Sequence, residues 1–115
     1  QATSAIHAKE AFLCVGRTIA ASGLVAVPYH DNVPSFGEWG WWIGGRAESW
    51  SPEKIKRLLR KINKIPVSTR YLTPELIRAG LEFGKNQLRS EEKEINTLVN
   101  HAIFTYYLQG WQSGY

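Results

Sequence analysis

Glu38 and its neighbours Trp39, Trp41 and Trp42 are the residues whose types and spacing could do chemistry. A loop carboxylate of this kind can hold a cation through charge-assisted hydrogen bonds; the alternative is a solvated loop acid. In a strand of alternating faces Trp39 and Trp41 share one side and Trp42 takes the other. Such rings could stack on a nucleobase or a cation, or pack a hairpin onto a sheet or partner. Cys14 is the one cysteine, so no internal disulfide forms. Its apolar helical setting reads as a small buried hydrophobe, and no histidine is placed to make it a nucleophile. His7, His30 and His101 make no metal-ligand spacing with one another or with Cys14. Lys54, Lys56, Arg57, Arg60, Lys61 and Lys64 form the one basic cluster. It reads as the solvated face of an amphipathic helix, with a partner surface or an anionic membrane surface as alternatives.

These residues sit on elements that the spacing of apolar positions predicts. Ile6, Phe12, Val15 and Ile19 predict a helix from Ser4 to Ser22, with Ser4 as N-cap and Gly23 just past the end. Leu24 to Tyr29 reads as a strand buried on both faces. Asp31 to Ser35 reads as a loop, and Trp39 to Ile43 as a second strand closed by Gly44 and Gly45. The two strands form a hairpin with an expected connection of about eight to ten residues, longer than usual hairpin loops. Ser51-Pro52-Glu53 and Thr73-Pro74-Glu75 are helix starts: a capping hydroxyl, a proline at the first helical position, and an acid near the positive dipole end. The first carries the stripe Ile55, Leu58, Leu59, Ile62; the second runs to near Gly84. A last helix is expected from near Ser90, with Ile95, Leu98, Val99, Ala102, Ile103 and Tyr106 on one face and Gly110 at its end.

The 115 residues suffice for one modest core. The net charge of +4 permits nucleic-acid contact without arguing for it. No apolar run is long enough to span a bilayer. A start at Gln1 reads as the cut edge of a longer chain. Two strands do not make a self-sufficient sheet, and a strand buried on both faces needs neighbours. A helix leading straight into such a strand reads as the last crossover of a parallel sheet. The missing strands are therefore expected upstream of Gln1 or on another chain.

Gln1-Ala2-Thr3-Ser4, Ala8 to Phe12, Pro28-Tyr29-His30 and above all Val33 to Trp41 resemble the end of spermidine synthase-like aminopropyltransferases. The similarity is greatest to the bacterial branch whose longer members carry membrane helices. The tail from Glu94 to Trp111 is similar too, and Arg46 to Tyr71 is least constrained. The resemblance implies an α/β fold: the C-terminal part of a methyltransferase-like (Rossmann-type) sheet, contributing a helix, an antiparallel β-hairpin and about three further helices. Residues 1–45 would be the final crossover helix and hairpin, and residues 46–115 a helical extension packed on them.

In that family an aminopropyl group passes from decarboxylated S-adenosylmethionine to a diamine, with an aspartate as base. The resemblance implies that the nucleotide loop and this aspartate precede the present segment, so the segment holds no catalytic residue, no metal and no cofactor of its own. Gln1 matches a glutamine that contacts the polyamine. Phe36 matches a position where classical spermidine synthases use tyrosine, so a hydroxyl is lost and an aromatic wall kept. Glu38 is the candidate for the distal nitrogen of the diamine. The expected partners are the upstream part of the same protein or a separate subunit, a small-molecule diamine, and a second copy in a homo-oligomer. No nucleic acid is expected. The setting implied is cytoplasmic, free or as the cytoplasmic domain of a membrane-anchored protein. The alternative is a non-catalytic interaction or assembly domain derived from this fold. A third reading is nucleic-acid binding through the basic helix and the tryptophans; the mild charge and the absence of a motif count against it.

Overall fold

The computed structural model describes residues 1–112. The order is α1 (Lys9–Ala21), β1 (Leu24–Val33), β2 (Gly37–Arg46), α2 (Pro52–Arg60), α3 (Pro74–Gly80) and α4 (Ala102–Gln112). It is an α/β mix of four helices around a two-stranded antiparallel hairpin.

The hairpin is longer and its turn tighter than the sequence suggests. The ladder runs without a break from Leu24 opposite Arg46 to Val33 opposite Gly37. Asp31 and Asn32, read as loop, are paired strand residues, and so is Glu38. The turn closes by a bond from the Phe36 amide to the Val33 carbonyl, 3.0 Å. Pro34 holds the second turn position. Ser35 takes the positive φ of 76° that this kind of turn needs at its third, with Gly37 at 79° just after. A serine at positive φ is uncommon, which is why the sequence hides this turn.

Each face of the hairpin meets different helices. Val25, Val27, Tyr29 and Ile43 pack against Ile55 and Leu59 of α2 and against Leu81. On the opposite face Phe12 and Gly16 of α1 meet Gly40 and Trp42. A Cβ on Gly40 would lie 2.3 Å from the Phe12 ring, and one on Gly16 2.4 Å from the Trp42 ring, so both positions demand glycine. The Trp42 indole donates to the Phe12 carbonyl at 2.9 Å, satisfying its polar edge against the helix. Only Val27 of β1 is fully buried; the rest of the strand is half-covered or exposed, so within this chain it is not a strand buried on both faces.

Both Pro-containing helix starts form as read. Ser51 Oγ accepts from the Lys54 amide and Thr73 Oγ1 from the Leu76 amide, each at 3.1 Å. Ile55 is buried and Leu59 packed, but Leu58 is exposed, and α2 ends at Arg60 before Ile62. Ser4 Oγ accepts from the Ile6 and His7 amides, capping a turn rather than the long helix; α1 itself starts at Lys9. Gly23 follows α1 at φ 90°. α3 stops at Gly80, so Phe83 is free to pack on Phe12 instead of riding a helix.

The last helix begins about three turns later than its apolar spacing suggests. Thr97 Oγ1 accepts from the Val99 and Asn100 amides, and Asn100 Oδ1 from the Thr97 and Ala102 amides. These local bonds take the amides that a helix would use. Leu98 and Val99 are 96% and 89% exposed, so the expected apolar face exists only from Ala102 onward. Residues 90–96 instead run along α1: Cys14 Sγ and Arg17 Nε both donate to the Glu94 carbonyl, and Thr18 Oγ1 accepts from the Asn96 amide. Cys14 is fully buried beside Ala8, Ala11, Ala102 and Tyr106. Among the described residues no helix is long and apolar enough to cross a membrane.

Tyr106 fastens α4 to this belt by donating to Glu92 Oε2 at 3.0 Å. Burial first, then that bond and the nearby Glu94, push its phenol from 10.0 up to about 12, partly offset by Arg17. Because the folded value lies above the unfolded one, the contribution is whole below about pH 10 and is lost as the pH climbs towards 12. Tyr106→Phe should therefore shrink the fall in melting temperature between about pH 8 and about pH 11. An unchanged alkaline fall would contradict this account of α4.

Candidate functional site

The tip of the hairpin and the start of the chain build one small site. The Ala2 amide donates to the Gly40 carbonyl at 3.0 Å, and the Gly40 amide to the Thr3 carbonyl at 3.2 Å. This antiparallel bridge puts Gln1 beside β2 on the edge away from β1. Gln1, Val33, Phe36, Trp39 and Trp41 then line a cavity of about 190 Å³. Phe36 is 68% exposed and tilts over Trp39, with ring centroids 5.9 Å apart. The walls are aromatic and aliphatic, and the one polar side chain among them that is not aromatic is the neutral amide of Gln1. Such a slot suits an aliphatic chain held by one hydrogen bond.

Of the three candidate residues, Gln1 and Phe36 come together here and Glu38 does not. Strand alternation turns Glu38 to the other face, where its carboxylate meets His30 Nδ1. The second ring nitrogen of His30 faces the Glu82 carbonyl, and the ring tilts on Phe83 with centroids 4.2 Å apart. Acceptors thus flank both ring nitrogens of this imidazole. The pair ties the hairpin to the segment after α3.

Asp31, read from the sequence as a loop residue, is an acid on the opposite face of the hairpin from Glu38. It stands opposite Trp39 in the ladder, on the same face as Tyr29 and Trp41. Its Oδ1 accepts from the Asn32 amide at 2.7 Å and from the Tyr71 hydroxyl at 3.1 Å. That bond, with lesser contributions from burial and from the aspartate charge, raises the Tyr71 phenol. Burial raises that of Tyr29. The signal that could have found Asp31 is period-two alternation carried back from Trp41 and Trp39, which requires knowing that the turn is short.

A larger open cavity of about 660 Å³ adjoins the first and shares Gln1 and Trp39 with it. Phe104 and Tyr107 of α4 line its far side. Thr3 Oγ1 and Trp39 Nε1, both from its lining, are buried without a hydrogen-bond partner. Buried polar atoms are ordinarily paired, so these two are exceptions within the fold. Among the described residues no group of three or more histidine, cysteine or acidic side chains could hold a metal ion.

A polyamine aminopropyltransferase of Shewanella oneidensis is 34% identical over 112 residues, which is 96% of this chain and 19% of that protein. Those of Oceanobacillus iheyensis and Leptospira interrogans are 34% and 32% identical, over 98% and 96% of the chain and 21% and 20% of their own lengths. The chain is homologous to the polyamine aminopropyltransferases. It matches their C-terminal region and spans about a fifth of their length. No family model and no solved structure matches.

The aminopropyltransferase homology leaves the role of Glu38 to its geometry. Glu38→Ala should lower thermal stability by about 1–3 kcal/mol, because His30 Nδ1 loses its acceptor at a half-buried site. The affinity for an amine should stay as it was. An unchanged melting temperature with weakened amine binding would show that the carboxylate serves the ligand instead.

Proposed function

We propose that this chain is the C-terminal part of a spermidine synthase-like polyamine aminopropyltransferase, and that a methyltransferase-like (Rossmann-type) sheet is completed by sequence outside it. The observation that carries the reading is the bridge between Ala2 and Gly40. It makes β2 an inner strand, flanked by β1 on one side and by the segment entering at Gln1 on the other. That segment and β1 are both antiparallel to β2, hence parallel to each other, and α1 connects them. This is a crossover unit with an antiparallel strand inserted between its members. Residues 1–45 supply that unit and residues 46–115 the helical extension.

The partner expected at the open edge is the remaining chain or a separate subunit. Phe104, Tyr107, Leu108 and Trp111 form an exposed stripe on α4 with the i, i+3, i+4, i+7 spacing, next to exposed Leu98 and Val99.

In the proposed reaction a diamine lies along the turn cavity. The aromatic walls of Phe36, Trp39 and Trp41 pack on its methylenes, and the Gln1 carboxamide oxygen accepts from its nitrogen. A base outside this chain takes a proton from the attacking amine. The nitrogen lone pair then forms a bond to the propyl carbon next to sulfonium in decarboxylated S-adenosylmethionine. The carbon–sulfur bond breaks, its electrons return to sulfur, and methylthioadenosine leaves. Phe36 offers no hydroxyl, so the turn end selects by shape rather than by a hydrogen bond.

A second reading is an assembly domain without catalysis, favoured by the same exposed stripe. The full-length protein separates the two. With decarboxylated S-adenosylmethionine and a diamine it should release methylthioadenosine, and Phe36→Ala should raise the KM of the amine about tenfold while leaving that of the nucleotide unchanged. No release with any diamine would leave the assembly reading standing.

A further inference from the structure

We propose that the hairpin carries a second amine-binding site, in the cavity between β1, β2 and α3, with Asp31 as the residue that takes the ammonium. This cavity measures about 500 Å³. Tyr29 and Trp41 form one wall, stacked at 5.3 Å and 12° directly across the ladder. Leu72, Leu76 and Leu81 are among the aliphatic residues of the other wall. Asp31 provides the one carboxylate in the lining and no lysine or arginine lines the cavity; His30 also lines it, with both ring nitrogens engaged by Glu38 and the Glu82 carbonyl.

The lining chemistry selects the ligand. An aliphatic body fits the leucines, and a cation is drawn both to a carboxylate and to aromatic faces. An anion or a second carboxylate would be repelled. Asp31 makes no ion pair among the described residues. Among the described residues its hydrogen bonds, from Tyr71 and the Asn32 amide, fall on Oδ1 and not on Oδ2. The carboxylate is therefore oriented from one oxygen while the other is left for an incoming ammonium.

The position of the cavity extends this. Trp41 lines both this cavity and the smaller one at the turn, so the two adjoin along one face of the hairpin. A linear amine can lie with one end at Gln1 and Phe36 and run past Trp41 towards Asp31. Asp31 then sets which chain lengths place an ammonium correctly, a specificity role. That the bound amine is the acceptor of aminopropyl transfer rests on the function proposed above; the affinity of the cavity for an aliphatic ammonium does not.

Equilibrium binding of putrescine and of spermidine to the full-length protein tests the site without turnover, with butanediol as the uncharged control. Asp31→Asn keeps the Oδ1 acceptor and the shape but removes the charge. It should weaken binding of at least one of the two amines tenfold or more, the scale of one charge-assisted hydrogen bond, with the melting curve unchanged. Leu76→Trp, which fills the cavity from α3, should do the same while leaving Asp31 in place. Wild-type affinity for both amines in Asp31→Asn would overturn the inference, and so would absence of amine binding to the wild-type protein. Methylthioadenosine release is read separately. Transfer with full activity and unaltered amine KM in Asp31→Asn would remove the second site and leave the aminopropyltransferase reading intact. Loss of release with Asp31-dependent binding retained would do the reverse.

Discussion

The close approach of Phe12 to Gly40 is the contact on which the rest of the structure depends. There the ring of α1 lies where any side chain on β2 would have to be. The same glycine gives its amide and carbonyl to Thr3 and Ala2. One residue thus fixes the height of α1 over the hairpin and the register of the incoming segment. A side chain at this point would push α1 off the sheet, and cores resist such overpacking at a typical cost of about 1–3 kcal/mol. Trp42 and Gly16 repeat the arrangement one helical turn along, so the approach is a line of contact rather than a point.

With that face occupied by α1, the chemistry of the hairpin is forced to the other. Alternation sends Glu38, His30 and Trp42 towards α1 and the segment after α3, where they serve the fold. Tyr29, Asp31, Trp39 and Trp41 go to the opposite face and line the two cavities. The aromatic run from Trp39 to Trp42 is therefore two sets with different duties. Asp31 shares its face with the stacked rings of Tyr29 and Trp41, and Glu38 does not.

Local signals in the sequence were legible and non-local ones were not. Ser51 and Thr73 cap helices through bonds that span three residues, so Ser-Pro-Glu and Thr-Pro-Glu identify their starts without tertiary help. The hairpin tip misleads because Asp31 and Asn32 look like loop residues, although a strand edge tolerates them where one face is open. A long loop between Asp31 and Glu38 breaks the count of alternating residues, and a slip of one residue exchanges the faces. That is how Glu38 comes to the fore in sequence and Asp31 does not. Leu98 and Val99 carry helical spacing, but Thr97 and Asn100 hold their backbone in turns. The family resemblance named Gln1 and Phe36, and both line the turn cavity, a proximity that a periodicity argument could not have anticipated.

The central claim is that β2 is an inner strand of a larger sheet. In the ladder, alternate residues of β2 point their backbone groups away from β1; Gly40 uses its pair on Ala2 and Thr3, and Trp42 and Gly44 share its parity. Amide hydrogen exchange in the full-length protein reads this edge directly. A paired edge predicts that the Trp42 and Gly44 amides exchange as slowly as those of Trp41 and Ile43, which face β1. Exchange at those two positions as fast as in an unstructured peptide, with Trp41 and Ile43 protected, would mean that no third strand lies there.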